Sequence, residues 1–180
     1  MKWPLFARAR RATSIEALYG AIVAQARLPV FYLDYRVPDT VNGRLDLLML
    51  HLALTHERLS QGGEGPRAVG QALFDRFCRD MDDHLREQGV SDLKVPKEVR
   101  GVGAAFFGRH GTYLTALQAG DMMALQAGLS RNVYQDAPDG AAARLSAYVK
   151  AAHAALAVQD PEALAQGGVT WPNPAAVDWT

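Results

Sequence analysis

The chain has 180 residues, of which 49% are hydrophobic and 21% are charged, as is ordinary for a soluble globular domain with a substantial core. Its 19 basic and 19 acidic residues balance, so no overall field recruits a nucleic acid or a membrane, and direct DNA binding is not expected. The longest apolar run, residues 45–54, is far shorter than the roughly 20 residues of a membrane-spanning helix. The single cysteine, Cys78, cannot form an internal disulfide, which suits a reducing compartment.

The N-terminal segment, residues 1–13, is expected to be a flexible basic arm. Four basic side chains come before the first acidic residue of the chain, Glu16. The four are Lys2, Arg8, Arg10 and Arg11. The segment lacks the continuous apolar stretch and the cleavage site of a secretory signal. An amphipathic membrane anchor is the alternative, built on the large apolar side chains of the segment: Trp3, Leu5 and Phe6.

The remainder predicts an all-α fold, a single-domain irregular bundle of about six helices. Ser14 is a favoured N-cap for a first helix that extends to about Arg27. A second helix is expected over residues 41–60, with Asp39 or Thr40 as its cap. Because its apolar residues point in almost every direction around the axis, this helix should be buried nearly all round and form the centre of the bundle.

Two segments are expected to be extended rather than helical. Residues 28–36 contain a Leu-Pro step followed by β-branched and aromatic residues, and no partner strand is evident. They therefore predict an aromatic loop laid across the helices. Residues 161–180 predict an extended tail after a helical domain of residues 14–160, with Trp171 and Trp179 holding the tail against the surface.

Residues 73–114 join an acidic third helix to a glycine-rich, aromatic fourth helix through a short link that ends at Pro96. Gly89 is expected to end the third helix in a left-handed conformation. One face of the fourth helix carries only small residues, and the large apolar side chains lie on the opposite face. The small residues are Gly101, Ala104, Gly108 and Gly111. Since each helical glycine costs about 1 kcal/mol relative to alanine, this small face predicts the close approach of another helix.

Motifs for catalysis and metal binding are weak, so we expect neither an enzyme nor a cofactor or metal site. His51 and His56 lie about 140° apart on one helix and cannot share a metal ion as an i,i+4 pair would. Asp80 and His84 have that spacing, but it is more typical of an intrahelical hydrogen bond or ion pair. His110 falls on an apolar face and is expected to be a core histidine bonded to a backbone carbonyl. An all-α metal-dependent enzyme that uses these histidines remains the alternative.

The end of the third helix carries an acidic strip. From Asp75 to Asp92 there are six acidic residues and three arginines. A basic patch follows directly: Lys94, Lys97 and Arg100. Spacing alone favours an ordinary solvated helix face, and the functional alternative is a surface that orients a charged partner. The aromatic residues of the predicted loop could close the core or anchor a partner: Phe31, Tyr32 and Tyr35.

Five blocks of the sequence carry a resemblance to a known family. They are LYGAIVAQAR (18–27), FYLDYRVPDTVNGRLDLLMLHLALTHERL (31–59), ALFDRFCRDMDDHLREQGVSDLKVPKEV (72–99), AAFFGRHGTYLTAL (104–117) and LSRNVY (129–134). Their most specific parts are DMDDHLREQGVSDLKVPK and FFGR. In this order the five blocks resemble the ubiquinol–cytochrome c chaperones, which are assembly factors of the respiratory cytochrome bc1 complex. The resemblance extends over about residues 18–134, and Phe107 stands where many relatives carry tyrosine.

The resemblance implies a non-enzymatic chaperone that binds newly made cytochrome b, with any haem belonging to this client. Since the sequence shows neither a presequence nor a spanning helix, we expect a soluble bacterial form that is cytoplasmic and acts at the inner face of the membrane. The resemblance also implies association with the ribosome near its exit tunnel, as for the family member in mitochondria. A ribosome- or RNA-associated helical binding module that uses the basic segments is the alternative class of function.

Together, the charge pattern and the resemblance predict a client-facing surface at the end of the third helix, the link after it and the start of the fourth helix. The expected polar contacts are Asp82, Asp83, Arg86, Asp92, Lys97 and Arg100. The expected aromatic contacts are Tyr32, Tyr35 and Phe107.

Overall fold

The computed structural model describes residues 4–136 and 140–178, with side chains described from residue 11 onward. These residues form helices and no strands, which confirms the prediction of an all-α, single-domain fold. The elements in chain order are α1 (Pro4–Ala26), α2 (Pro29–Leu33), α3 (Val41–Ser60), α4 (Glu64–Glu87), α5 (Val95–Ala119), α6 (Met122–Val133), α7 (Ala141–Ala157) and α8 (Pro161–Ala165), with a short 3-10 helix (Pro174–Ala176). The described helices outnumber the six expected because two short ones, α2 and α8, stand where extended backbone was predicted.

The second predicted helix, α3, is buried on nearly every side and packs against α1, α4, α5, α6, α7 and α8. Its start is fixed by Thr40, whose hydroxyl oxygen accepts a hydrogen bond from the Gly43 amide at 3.1 Å. A side chain at Gly43 would place its Cβ 2.0 Å from the Pro38 carbonyl oxygen, so only glycine fits there. Burying each leucine of this helix contributes about 1.5–3 kcal/mol, which explains why α3 occupies the centre.

A polar network crosses the core at His51, which has no exposed surface. Because a carbonyl can only accept, His51 Nδ1 donates to the Leu47 oxygen at 2.8 Å, and Nε2 accepts from the Tyr148 hydroxyl at 2.8 Å. The Gln25 amide donates to the same hydroxyl at 3.0 Å. Burial lowers the pKa of His51 to about 4. His51 is therefore a neutral core residue whose two ring nitrogens are both satisfied.

The first helix begins at Pro4, well before the Ser14 cap that the sequence suggested. The expectation of a flexible arm is thus corrected for residues 4–13, whose backbone is helical. The reason is local: proline is tolerated in the first turn, and the leucine, alanine and arginine residues that follow it have high helix propensity. Arg11 donates to the Gly65 carbonyl at 3.4 Å. The side chains of the suggested membrane anchor lie outside the described residues: Trp3, Leu5 and Phe6.

The predicted aromatic loop instead begins with the short helix α2, because Pro29 suits the first turn of a helix. Phe31 and Tyr35 are fully buried. Their rings lie 5.4 Å apart between centroids, and Phe31 also packs edge-on against Tyr148 at 4.9 Å. These aromatic residues therefore close the core rather than cover the outside of the bundle.

The C-terminal tail is extended only in part, since α8 and the 3-10 helix interrupt it. Trp171 packs edge-on against the ring of His51, with 5.0 Å between the ring centroids, so it holds the tail against the central helix. Trp179 lies outside the described residues.

The small face of α5 contradicts its prediction, because Gly101, Ala104, Gly108 and Gly111 are all exposed. Among the described residues, no atom beyond the adjoining backbone of α5 lies within 4 Å of a Cβ built on any of these three glycines. The glycine that permits close helix packing against α5 belongs to α6: a Cβ on Gly128 would lie 2.8 Å from Thr112 Cγ2. None of the helices in the described part of the chain has both the length and the apolar character needed to cross a membrane.

Candidate functional site

An open groove of about 490 Å³ lies between α1, α3 and α4, and we call it the α1–α3–α4 groove. Its floor is apolar: Val23, Ala26, Val41, Leu45, Leu48 and Met81. Its rim on the side of α1 and α3 is basic: Arg27 and Arg44. Its rim on α4 is mainly acidic: Asp80, Asp83, His84 and Glu87. The groove therefore combines an apolar floor with two edges of opposite charge.

Helix periodicity explains how the sequence builds these walls. On α3 the lining residues fall between positions 41 and 48, and on α4 between positions 80 and 87. In both helices they are spaced by three and four residues, which places them on one face. Seven residue steps of an α-helix span about 10 Å, so each wall is two helical turns long.

Some rim charges are already engaged within the protein. Asp80 accepts a hydrogen bond from the Tyr19 hydroxyl at 2.8 Å and forms an ion pair with Arg76 at 3.3 Å. Burial raises the pKa of Tyr19, and the bond to Asp80 raises it further, so the phenol stays protonated. On the opposite rim, Arg44 forms an ion pair with Asp39 at 2.6 Å. These contacts leave Asp80 and Arg44 little charge to offer a partner.

Three other rim charges remain unengaged: Arg27, Asp83 and Glu87. All three are exposed, and none has an ion pair with another described residue. Exposed charges interact weakly with each other but favour a partner of complementary charge. Among the described residues, the groove thus presents one free cation directly after α1 and two free carboxylates on α4.

The acidic residues predicted for the client-facing surface do not share one face of α4. Asp83 lines the groove, whereas Asp82 lies about 100° further round the helix. Arg86 Nε contacts Asp82 Oδ2 at 2.5 Å, and its guanidinium also pairs with Asp92 of the link. We call Asp82, Arg86 and Asp92 the Arg86 cluster. The structure therefore brings three predicted residues together and places Asp83 on the neighbouring surface.

Three further predicted residues lie on the exposed side of α5. Lys97, Arg100 and Phe107 fall within about 80° of one another around the helix, beside the small face. Phe107 is 51% exposed, and its ring centroid lies 4.9 Å from that of Phe74. In the link before α5, Leu93 is 93% exposed. The link and the middle of α5 therefore each present one large apolar side chain on a surface that carries charges.

The two tyrosines predicted as contacts differ. Tyr35 has no exposed surface, and its hydroxyl donates to the Pro174 carbonyl at 2.7 Å, so its assignment to a surface is corrected. Tyr32 is half-buried, and its hydroxyl donates to the Ala26 carbonyl at 2.9 Å. The Arg44 guanidinium lies 5.9 Å from the centre of the Tyr32 ring. Tyr32 thus supports the basic rim of the groove, while Tyr35 belongs to the core.

The histidines do not form the contacts that their spacing suggested. His84 pairs with Gln88 at 2.9 Å rather than with Asp80. His110 makes no bond to a backbone carbonyl among the described residues and instead packs near His56, with 5.4 Å between ring centroids. Burial lowers the pKa of both of these imidazoles. Within the described ranges, no three potential ligands come close enough to hold a metal ion.

The predicted surface missed the basic rim and most of the floor of the groove, which come from α1 and α3. A signal was present in the sequence of α3, where the charged Arg44 shares a helix face with Val41 and Leu45. This spacing indicates one open face on a mostly buried helix, and Val41 is 62% exposed in the structure. The spacing does not show that α4 supplies the opposite wall.

Comparisons with known proteins agree with this fold. The family model described as ubiquinol-cytochrome C chaperone matches residues 33–171. A solved structure, the crystal structure of the Cbp3 homolog from Brucella abortus, is 36% identical over 97% of this chain and 98% of that chain, with a TM-score of 0.87. No curated protein sequence matches. The chain therefore belongs to the ubiquinol–cytochrome c chaperone family, as its sequence blocks suggested.

Proposed function

We propose that the protein binds newly made cytochrome b without catalysing a reaction. The observation that carries this proposal is membership of the ubiquinol–cytochrome c chaperone family, which makes the protein a chaperone for assembly of the cytochrome bc1 complex. Because the client is a membrane protein, we place the chaperone at the inner face of a bacterial membrane. A role in binding requires a surface that recognises an unfinished client.

The proposed client surface comprises the Arg86 cluster, the adjacent Asp83, the link to α5 and the exposed side of α5. Leu93 in the link and Phe107 in the middle of α5 supply exposed apolar contact area. Lys97 and Arg100 lie on the same side of α5 as Phe107. Apolar contacts would supply affinity for unpaired segments of the client, and the charges would orient it.

Capture of cytochrome b from a native membrane fraction, with crosslinking, tests this surface. The variant combines Asp82→Lys, Asp83→Lys and Arg86→Glu. It should capture several-fold less client because the charge pattern that orients the client is inverted. Its helicity, measured by circular dichroism, should be unchanged because residues 82 and 86 keep an i,i+4 pair of opposite charges.

A control with the same net change of charge combines Glu64→Lys, Asp75→Lys and Arg79→Glu. All three positions are exposed on α4 and lie away from the link. This control should capture the client as the wild type does. Normal capture by the folded 82/83/86 variant would contradict the surface, and failure of the wild type to recover cytochrome b would contradict the client.

We also propose that the start of α5 contacts the ribosome. Lys94, Lys97 and Arg100 are exposed and have no ion pair with a described residue, which suits contact with phosphate groups. If three such contacts are made to single-stranded RNA, raising the salt concentration from about 50 to 200 mM should weaken binding roughly twentyfold. Co-sedimentation with ribosomes over this range measures the effect, and binding that does not change with salt would contradict the proposal.

A further inference from the structure

We infer that the α1–α3–α4 groove binds one amphipathic helix of the client. This helix packs along the two-turn walls of the groove and becomes the fourth helix of a local bundle. This inference deepens the proposed function and relies on it for the identity of the partner. The helices α1, α3 and α4 each pack against the other two. Within the described chain nothing covers the side of this trio on which the groove opens.

The shape of the groove suits a helix. Its walls are about 10 Å long, the length of two helical turns, which matches apolar anchors at positions i, i+3, i+4 and i+7 of a bound helix. Val41 exposes 62% of its surface at the start of the floor, although most apolar residues of α3 are buried. A docked helix would remove Val41 and the neighbouring half-buried Leu45 from water.

The free charges specify which helix would fit. Asp83 and Glu87 lie one turn apart on the α4 rim, so they would face lysine or arginine on one edge of the bound helix. Arg27 on the opposite rim would face a carboxylate on the other edge. Edges that complement the rims raise specificity, because a helix edge with the same sign of charge as the rim it faces is repelled. The expected occupant therefore carries an apolar stripe between one basic edge and one acidic edge.

Two fluorescein-labelled peptides of about 14 residues test the polarity of the groove by fluorescence anisotropy. Both carry the same leucine stripe, but the mixed peptide has lysine on one edge and glutamate on the other, while the acidic peptide has glutamate on both. Wild-type protein should bind the mixed peptide about tenfold more tightly. The Asp83→Lys, Glu87→Lys variant should invert this preference, because both of its rims are basic.

A matched control, Glu64→Lys with Asp75→Lys, makes the same charge change at exposed positions of α4 outside the groove. It should retain the preference of the wild type for the mixed peptide. A second variant, Val41→Arg, tests the floor and should weaken binding of both peptides at least about tenfold. Since Val41 is mostly exposed, its thermal unfolding should stay close to that of the wild type. An unchanged preference in the 83/87 variant, or full binding by Val41→Arg, would overturn the inference.

Capture of cytochrome b by the same variants separates this inference from the proposed function. Loss of capture by both groove variants, with normal capture by the control, supports a client helix in the groove. Normal capture by both groove variants would overturn the inference while the proposed function stands. If the wild type itself recovers no cytochrome b, the proposed function fails, and with it the identity of the helix.

Discussion

The two long helices α3 and α5 cross the same core, but they use their surfaces differently. α3 is buried nearly all round, whereas α5 leaves its small face in water. Both helices were expected to be enclosed. Where leucines lie all round a helix, leaving any side of it exposed forgoes about 1.5–3 kcal/mol of burial free energy for each side chain. Glycine and alanine bury little apolar area, so a small face is compatible with either a close neighbour or solvent.

An ion pair joins these two helices. Arg109 Nη2 of α5 contacts Asp46 Oδ1 of α3 at 2.8 Å, and the Asp46 side chain is only 7% exposed. Burial raises the pKa of Asp46 to about 6, although the Arg109 charge opposes this shift. Desolvation therefore outweighs the attraction of the partner at this position. Variants of α3, of this pair and of the small face test the contrast between the helices.

The largest effect is expected in the centre of α3. Leu50→Ala should lower the free energy of unfolding by about 2–5 kcal/mol, because Leu50 is completely buried and loss of its side-chain carbons leaves a cavity in the core. The control Val41→Ala, at an exposed position of the same helix, should change it by less than about 0.5 kcal/mol. Urea unfolding measures both. Equal effects of the two substitutions would show that α3 is not enclosed.

Removing the cation between the helices should have the next largest effect. Arg109→Leu should destabilise the protein by about 3 kcal/mol at neutral pH, because it leaves the Asp46 carboxylate buried without a partner. The penalty should shrink as the pH falls toward about 6 and level off below it, because loss of the Arg109 charge raises the pKa of Asp46 further and lets the folded variant bind the proton at a higher pH than the wild type does.

Urea unfolding at several pH values measures this dependence. The double variant Asp46→Asn, Arg109→Leu removes the buried charge and should recover much of the loss at neutral pH. A penalty in Arg109→Leu that does not vary with pH would contradict the role assigned to Asp46.

The buried histidine of α3 should make the protein sensitive to acid. The pKa of His51 is lowered to about 4 in the folded state, against about 6.5 when unfolded, so the unfolded state binds more protons between these values. Stability is therefore lost as the pH falls through this window, by about 2.5 kcal/mol at pH 4.5. Comparison with His51→Gln isolates the effect, because Asp46, which acts in the opposite direction, is present in both proteins. If the free energy of unfolding of the two proteins depends on pH in the same way, the effect assigned to His51 is contradicted.

The smallest effect is expected on the small face of α5. Gly108→Ala should raise the free energy of unfolding by about 1 kcal/mol, because alanine favours the helix and its Cβ meets no neighbour. Gly128→Ala is the control: its Cβ would lie 2.8 Å from Thr112, a stiff β-branched side chain, so stability should fall. A loss of stability in Gly108→Ala, measured by thermal unfolding, would show that another part of the protein packs on the small face.

Local features of the fold were predictable where a few neighbouring residues decide them. Thr40 caps α3 as expected, and Asp121 caps α6 by accepting a hydrogen bond from the Ala124 amide at 2.9 Å. Gly89 adopts a φ of 80° after α4, as predicted for a left-handed helix end. The start of α1 was missed because Ser14 satisfies the pattern of a cap but lies inside a run of strong helix formers.

The candidate site was predictable only in part. The pairing of Asp82 with Arg86 follows from their i,i+4 spacing. The burial of Tyr35 could not be predicted, because local sequence does not show which side of an aromatic segment meets the core. Arg27 and Asp83 face the same groove although they are far apart in the chain. No periodicity within one helix can reveal such a pairing.

The sequence by itself determined the all-α class and most helix ends, because capping, propensity and apolar periodicity act over a few residues, and its ordered blocks carried the resemblance to the family. The tertiary structure alone decided which helix faces are covered, which are left open and where charges from distant segments meet. It buried Tyr35, left the small face of α5 in water and assembled the α1–α3–α4 groove. The physical reason is that a helix face is buried or exposed according to which remote segment packs on it, and that choice depends on the free energy of the whole bundle.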